Sequence, residues 1–147
     1  MKIVVQRVLS AECVSGGITT GKIDRGLLVF VGVEQDDNER DLLKAAEKIT
    51  GMRIFKDDKG KISLSASDIG GGVLLISNFT LCGSVKHGRR PDFISAAKAE
   101  KAREYYDRLT EFIGAKLPTE TGAFGESMRI TAVNDGPVTM IIDTKEL

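Results

Sequence analysis

Val73-Leu74-Leu75-Ile76-Ser77-Asn78-Phe79-Thr80-Leu81 begins with four apolar residues in a row and then turns polar without a break. A short run that is apolar on both faces reads as a strand covered on both sides. Its end on Ser77 marks where the chain leaves the core. Leu27-Leu28-Val29-Phe30-Val31 is a second run of the same kind. Two such strands need layers above and below them, which the rest of the chain has to supply.

Towards the N-terminus, Ile3, Val5, Arg7 and Leu9 alternate with Lys2, Val4, Gln6 and Val8. This is the period of a strand with one largely apolar face, on which Arg7 is the odd member. Gly16-Gly17 and Gly21-Lys22 punctuate a short hairpin before Leu27. Asp36 and Asp37 then offer N-caps, with Glu39 in the first turn, to a helix carrying Leu42, Ala45, Ala46, Ile49 and Met52 on one stripe. Gly51 weakens its end. Arg53-Ile54-Phe55-Lys56 reads as a strand, residues 57–60 as its turn and residues 62–64 as a short returning strand. Asp92, after Pro91, is the expected N-cap of the longest helix, on which Ala102, Tyr105, Tyr106, Leu109, Phe112 and Ile113 recur at helical spacing. Residues 128–134 and 138–143 are expected as two last strands joined by a hairpin at Asp135-Gly136. Strands outnumber helices. The expected fold is therefore α/β, with layered mixed or antiparallel sheets covered by two main helices in one domain over residues 1–147.

Lys plus Arg equal Asp plus Glu at 21 each, so the chain is no bulk binder of polyanions and any nucleic-acid contact must be local. The one basic cluster is Lys86-His87-Gly88-Arg89-Arg90, whereas residues 34–41 are acidic and are expected to face away from phosphates. The longest apolar run, residues 27–33, is interrupted by Gly32 and too short to cross a bilayer, and no secretory signal opens the chain. A cytoplasmic protein with no membrane partner is expected. Cys13 and Cys82 have no second Cys or His at ligand spacing, which leaves them as packed, reduced thiols rather than a zinc site.

Chemistry concentrates at two places. At the end of the second apolar strand, Ser77, Asn78 and Thr80 could supply a nucleophile, an orienting amide and a hydroxyl, with the N–H groups of Phe79 and Thr80 free for an oxyanion. The same residues would also suit a plain hydrogen-bonded strand end. The only histidine, His87, sits in the basic loop without a carboxylate to orient it. Catalysis, if present, then comes from backbone donors and substrate positioning. The second place is Gly136-Pro137, where a proline stands at the head of an expected strand and cannot donate to the ladder. A cis bond there would aim the Gly136 and Pro137 carbonyls outward. Arg7 could bond those carbonyls or a ligand anion, or simply end its strand in solvent.

Taken together, Gln6-Arg7-Val8, Gly26-Leu27-Leu28-Val29, Arg53-Ile54-Phe55, residues 77–81, Gly88-Arg89-Arg90-Pro91, Thr121-Gly122 with Phe124-Gly125, and residues 134–139 resemble, in order and spacing, the bacterial and eukaryotic type of D-aminoacyl-tRNA deacylase. The resemblance spans essentially the whole chain. It implies a barrel-like arrangement of the sheets and a homodimer in which the Gly136-Pro137 turn of one subunit reaches into the pocket of the other. The ligand would be the 3′ end of a tRNA carrying a D-amino acid or glycine. Phe79, Thr80 and Ser77 would face the scissile ester, Arg7 would hold the turn, and Phe124 to Met128 would lie near the adenine. The family is similar in needing no metal or other cofactor. It has Gln where this chain has Asn78, shorter by one methylene, so Asn78 ranks below the backbone donors. A non-catalytic binder of amino acids or nucleotides and an L-specific editing hydrolase are the competing readings.

Overall fold

The computed structural model describes residues 1–147. In chain order the elements are β1 (Lys2–Ser15), β2 (Ile18–Ile23), β3 (Gly26–Gly32), α1 (Glu39–Gly51), β4 (Arg53–Lys56), β5 (Ile62–Ser65), β6 (Gly72–Ser77), α2 (Ala99–Gly114), β7 (Thr119–Thr121) and β8 (Arg129–Asp143), with single 3₁₀ turns at Phe79–Cys82 and Thr144–Glu146. The two wholly apolar runs, β3 and β6, lie side by side in parallel, with Val29 opposite Leu75 and Val31 opposite Ser77. β7 continues the parallel set beyond β6, and β1 flanks β3 on the other side.

Only a strand with partners on both faces can be apolar throughout, and β3 and β6 have them. Leu27, Val29, Val31, Val73 and Leu75 point into the larger core, which Leu42, Ile49, Tyr106, Leu109 and Ile113 of the two helices cover. Leu28, Leu74 and Ile76 point the other way, into a smaller core with Val8, Ala11, Cys13 and Ile23. The sheet curls around that second core until β2 meets β7. A Cβ on Gly21 of β2 would fall 2.5 Å from the Thr121 carbonyl oxygen, so only glycine fits at the seam. The result is a barrel-like mixed sheet covered by two helices, with the β4–β5 hairpin as a separate small sheet.

β1 serves both cores because its phase changes midway. Ile3, Val5 and Arg7 are buried, but so are Val8, Ala11 and Cys13, while Leu9 is exposed, contrary to the simple alternation expected. Irregular pairing with β8 around Val8 supplies the extra residues that flip the faces.

Three boundaries differ from the sequence expectation. α1 is capped by Asn38, whose Oδ1 accepts from the Arg40 N–H at 2.9 Å, while Asp41 Oδ2 accepts from the Asn38 N–H at 3.0 Å. Asp36 and Asp37 lie outside that box. α2 starts at Ala99, not after Asp92, because the backbone of Asp92 is engaged in a two-way bridge with Ser84. The expected closing hairpin is absent. Residues 129–143 form one strand running antiparallel to β1 throughout, and the segment between Asn134 and Thr139 leaves the ladder and rejoins it on the same line.

Candidate active site

β6 ends where its last residues can face a ligand. The Asn78 N–H donates to the Val31 carbonyl at 2.8 Å, which closes the ladder with β3, and residues 79–82 then wind into a 3₁₀ turn whose first internal bond runs from the Leu81 N–H to the Asn78 carbonyl. The N–H groups of Phe79 and Thr80 precede that bond, and the Asn78 side chain does not cap them. Instead, Asn78 Oδ1 accepts from the Thr80 hydroxyl at 2.5 Å. The Thr80 proton is committed to that acceptor, which leaves the Asn78 amide NH₂ as the donor end.

Ser77, Asn78 and Phe79 form one wall of a cleft of ≈ 380 Å³. The entry to α2 supplies a second wall of small side chains, Ala97, Ala99 and Ala102, and the β7–β8 connection supplies Phe124 and Met128. Small residues on one side and the Phe124 ring with Met128 on the other make a slot suited to a flat group. Phe124 is held firmly. The Tyr106 ring lies 5.6 Å from it, and the Arg103 guanidinium sits 5.2 Å from its centroid while bonded to Asp107 at 2.8 Å. Tyr106 is itself fixed by donating to the Leu75 carbonyl at 2.7 Å, and burial pushes its hydroxyl pKa up.

Of the sequence-predicted residues, Ser77, Asn78, Phe79, Phe124 and Met128 therefore meet in one cleft, whereas Thr80 is exposed, does not line it and touches it through its bond to Asn78. Glu126 also lines the cleft as its only charged residue, at a position that none of the sequence motifs marks. The available signal was that Glu126 is the sole charge in residues 121–128. His87 lies on the exposed loop, outside the cleft wall.

Arg7, Gly136 and Pro137 gather at a different place. Arg7 is 4% exposed, and its guanidinium donates to the Ile54 carbonyl at 2.6 Å and, through Nε, to the Asp135 carbonyl at 3.1 Å, with the Asp135 carboxylate also at 3.1 Å. It thus grips the residue before Gly136 rather than the Gly136 and Pro137 carbonyls, and it is far from the solvent-exposed strand end that was one alternative. Asn134 closes the base of the loop: its Oδ1 accepts from the Val138 N–H at 3.0 Å, and its amide reaches Val138 O and Thr139 Oγ1. Between these clamps Gly136 and Pro137 are exposed, the peptide joining them is cis, and neither lines the cleft of its own chain.

Within the acidic stretch 34–41, the buried Asp37 and Asp41 are already paired with cations. Asp37 accepts from the Met1 ammonium at 2.6 Å and lies 3.4 Å from Lys145, which also bonds Asp41 at 2.8 Å. Glu34, Asp36 and Asp37 bring three carboxylates within 4.8 Å, with these cations already among them. Cys82 is buried beside this group. Burial, together with the charges of Glu34 and Asp37, pushes its thiol up to about 11, so it is not a nucleophile at neutral pH.

The profile of the family described as D-Tyr-tRNA(Tyr) deacylase matches residues 4–143. A Geobacter sulfurreducens protein named D-aminoacyl-tRNA deacylase is 48% identical over 146 residues, which cover 99% of this chain and 96% of that protein. Among solved structures, the c-Myc DNA unwinding element binding protein matches with a TM-score of 0.92 at 35% identity, over 97% of this chain and 98% of that one. A probable eukaryotic D-amino acid tRNA deacylase matches with a TM-score of 0.81 at 16% identity over 96% of this chain and 97% of that one, a likeness of fold.

Proposed function

The chain belongs to the D-Tyr-tRNA(Tyr) deacylase family, and from that membership we propose how its cleft and its clamped loop divide the work of hydrolysing a D-aminoacyl-tRNA ester. The enzyme is a hydrolase that releases the D-amino acid from tRNA. In the proposed arrangement the terminal adenosine enters the slot between Phe124 and the alanines, beside Met128, and the ester carbonyl lies against the end of β6. Water attacks that carbonyl. The Phe79 and Thr80 N–H groups receive the oxyanion, and the neighbouring ribose 2′-OH assists as the ester breaks. The Thr80 hydroxyl keeps its proton on Asn78 and orients that amide, while Ser77 borders the carbon under attack. No side chain on the cleft wall is an activated nucleophile, which agrees with a mechanism of positioning and backbone donors.

Chirality is read, in this proposal, by the loop of residues 135–138 from a second copy of the chain. The observation that carries it is that the loop is clamped at both ends, by Arg7 at Asp135 and by Asn134 at Val138, yet contributes nothing to its own cleft. β8, which bears the loop, pairs with β1 on one edge only and exposes Val133, Met140 and Ile141. An open apolar edge of that length calls for a partner, and a homodimer through it is the economical one. An L-residue would drive its side chain into the loop's carbonyls, whereas a D-residue points it away and glycine has none to reject. Glycyl esters are therefore substrates in this account, and its setting is the cytoplasm.

Asn134→Ala tests the loop's part because it opens the clamp without touching the cleft. Hydrolysis of L-tyrosyl-tRNA should rise at least about tenfold, equivalent to about 1.4 kcal/mol of lost discrimination, with D-ester hydrolysis nearly unchanged. Unaltered rejection of the L-ester would remove the loop from the mechanism.

A further inference from the structure

The cleft accounts for the terminal aminoacyl-adenosine but not for the strand that must lead into it, and a second feature lies at its rim. Residues 85–91 form a loop that is exposed throughout. Its two ends are tied together by reciprocal bonds, Ser84 N–H to the Asp92 carbonyl and Asp92 N–H to the Ser84 carbonyl, both 2.9 Å. The tied base is fastened to the cleft wall: the Phe93 ring packs edge-on against Phe79 at 5.0 Å, and the Ser95 hydroxyl donates to the Cys82 carbonyl at 2.8 Å. Within this short span stand Lys86, Arg89 and Arg90, with His87 beside them and no acid until Asp92. None of the three cations joins an ion pair, although Arg103, Arg108, Lys2 and Lys145 all find carboxylates elsewhere in the molecule.

We infer that residues 85–91 are a phosphate-binding arm, in which Lys86, Arg89 and Arg90 engage the backbone of the tRNA strand running into the cleft. The inference rests on the deacylase reading of that cleft. The chain has no net charge, so the favourable field for a polyanion has to be local, and this arm is the densest run of unpaired cations. Behind its base a groove is lined by Glu34, Asp36 and Asp92 together with Lys2 and Lys145. That groove already mixes both signs of charge, so the exposed outer face of the arm, where the three cations stand unpaired, is the side from which a strand approaches. Arg89 and Arg90 offer forked donors for phosphate oxygens, and Lys86 adds a point charge. These contacts carry no base information, so the arm raises affinity for any tRNA and leaves amino-acid choice to the cleft.

The test compares one D-tyrosyl ester on two carriers, full tRNA and free adenosine, with the triple variant Lys86→Gln, Arg89→Gln, Arg90→Gln. On tRNA, KM should rise about tenfold with kcat unchanged, and the log–log salt dependence of kcat/KM should flatten by about 2, from roughly 0.7 per single-strand phosphate contact. On the adenosine ester nothing should change. A double variant, Lys48→Gln with Lys116→Gln, removes charge away from the cleft and should behave as wild type on both. An equal loss on both carriers would show that the arm merely supports the cleft wall, and an unchanged KM on tRNA would show a solvated loop; either overturns the inference. If the wild type cleaves neither ester, the deacylase reading fails, and binding of uncharged tRNA decides separately: weaker binding by the triple variant upholds the arm, and equal binding rejects it.

Discussion

The Thr80 hydroxyl spends its proton on Asn78 Oδ1. That single bond decides between two chemistries for the same residue. A nucleophile needs a base to take its proton, and an amide oxygen is a poor one. Thr80→Val should therefore lower kcat only about three- to tenfold, and Thr80→Ser should restore it, in single-turnover assays. Loss of a true nucleophile costs on the order of 10⁶ in an acyl-transfer enzyme, so a collapse of that size would reverse the assignment. Cys82 gives a second check at this scale. Its thiol, raised to about 11 by burial and the neighbouring carboxylates, should react with iodoacetamide at pH 8 far more slowly than a free cysteine. Alkylation at the rate of an exposed thiol would contradict the packing around it.

At the scale of elements, the loop between Asn134 and Thr139 is the most telling. Gly136 has φ +132, and a Cβ there would meet the Val138 side chain at 2.9 Å and the Arg7 guanidinium at 3.1 Å. Gly136→Ala should cost about 1–3 kcal/mol in urea unfolding and weaken discrimination against L-esters; neither effect would mean that the loop relaxes freely. α1 offers a pH test. Burial alone would raise the Asp41 pKa, but the Lys145 ammonium, the Asn38 N–H and the Thr144 hydroxyl together hold it down to about 2. A depressed carboxylate stabilises the fold fully above its unfolded value and loses that stabilisation as pH falls through the folded one. The wild-type urea midpoint should thus fall more steeply than that of Asp41→Asn from about pH 4 towards about pH 2, and parallel curves would refute the linkage. β3 and β6 were plain in the sequence because unbroken apolarity has few structural meanings. The bulged course of β8 was not, since Asp-Gly signals a reversal and only the long-range pairing with β1 shows that the chain carries straight on. Asp92 likewise has the chemistry of a cap, but its backbone was already claimed by Ser84.

Across the whole molecule, the curled sheet puts the cleft at the C-terminal end of β6 and the clamped loop on the outer strand β8. The ordered motifs made the family legible in the sequence, whereas the grip of Arg7 on Asp135 and Ile54 and the place of Glu126 as the cleft's one charge required the folded chain. The open edge of β8 brings a prediction about assembly. Ile141, 82% exposed, should sit in the dimer contact, so Ile141→Asp should sediment as a monomer of 15.9 kDa and lose deacylase activity. A fully active monomer would contradict the shared site. Stereochemical preference is the central property of the enzyme, and its most direct measurement is the rate at which matched D- and L-tyrosyl-tRNA lose their ester in the presence of the wild-type protein. Rapid loss of the D-ester with the L-ester decaying as in buffer is the predicted result; a D-ester no faster than in buffer, or a preference for L, would contradict it.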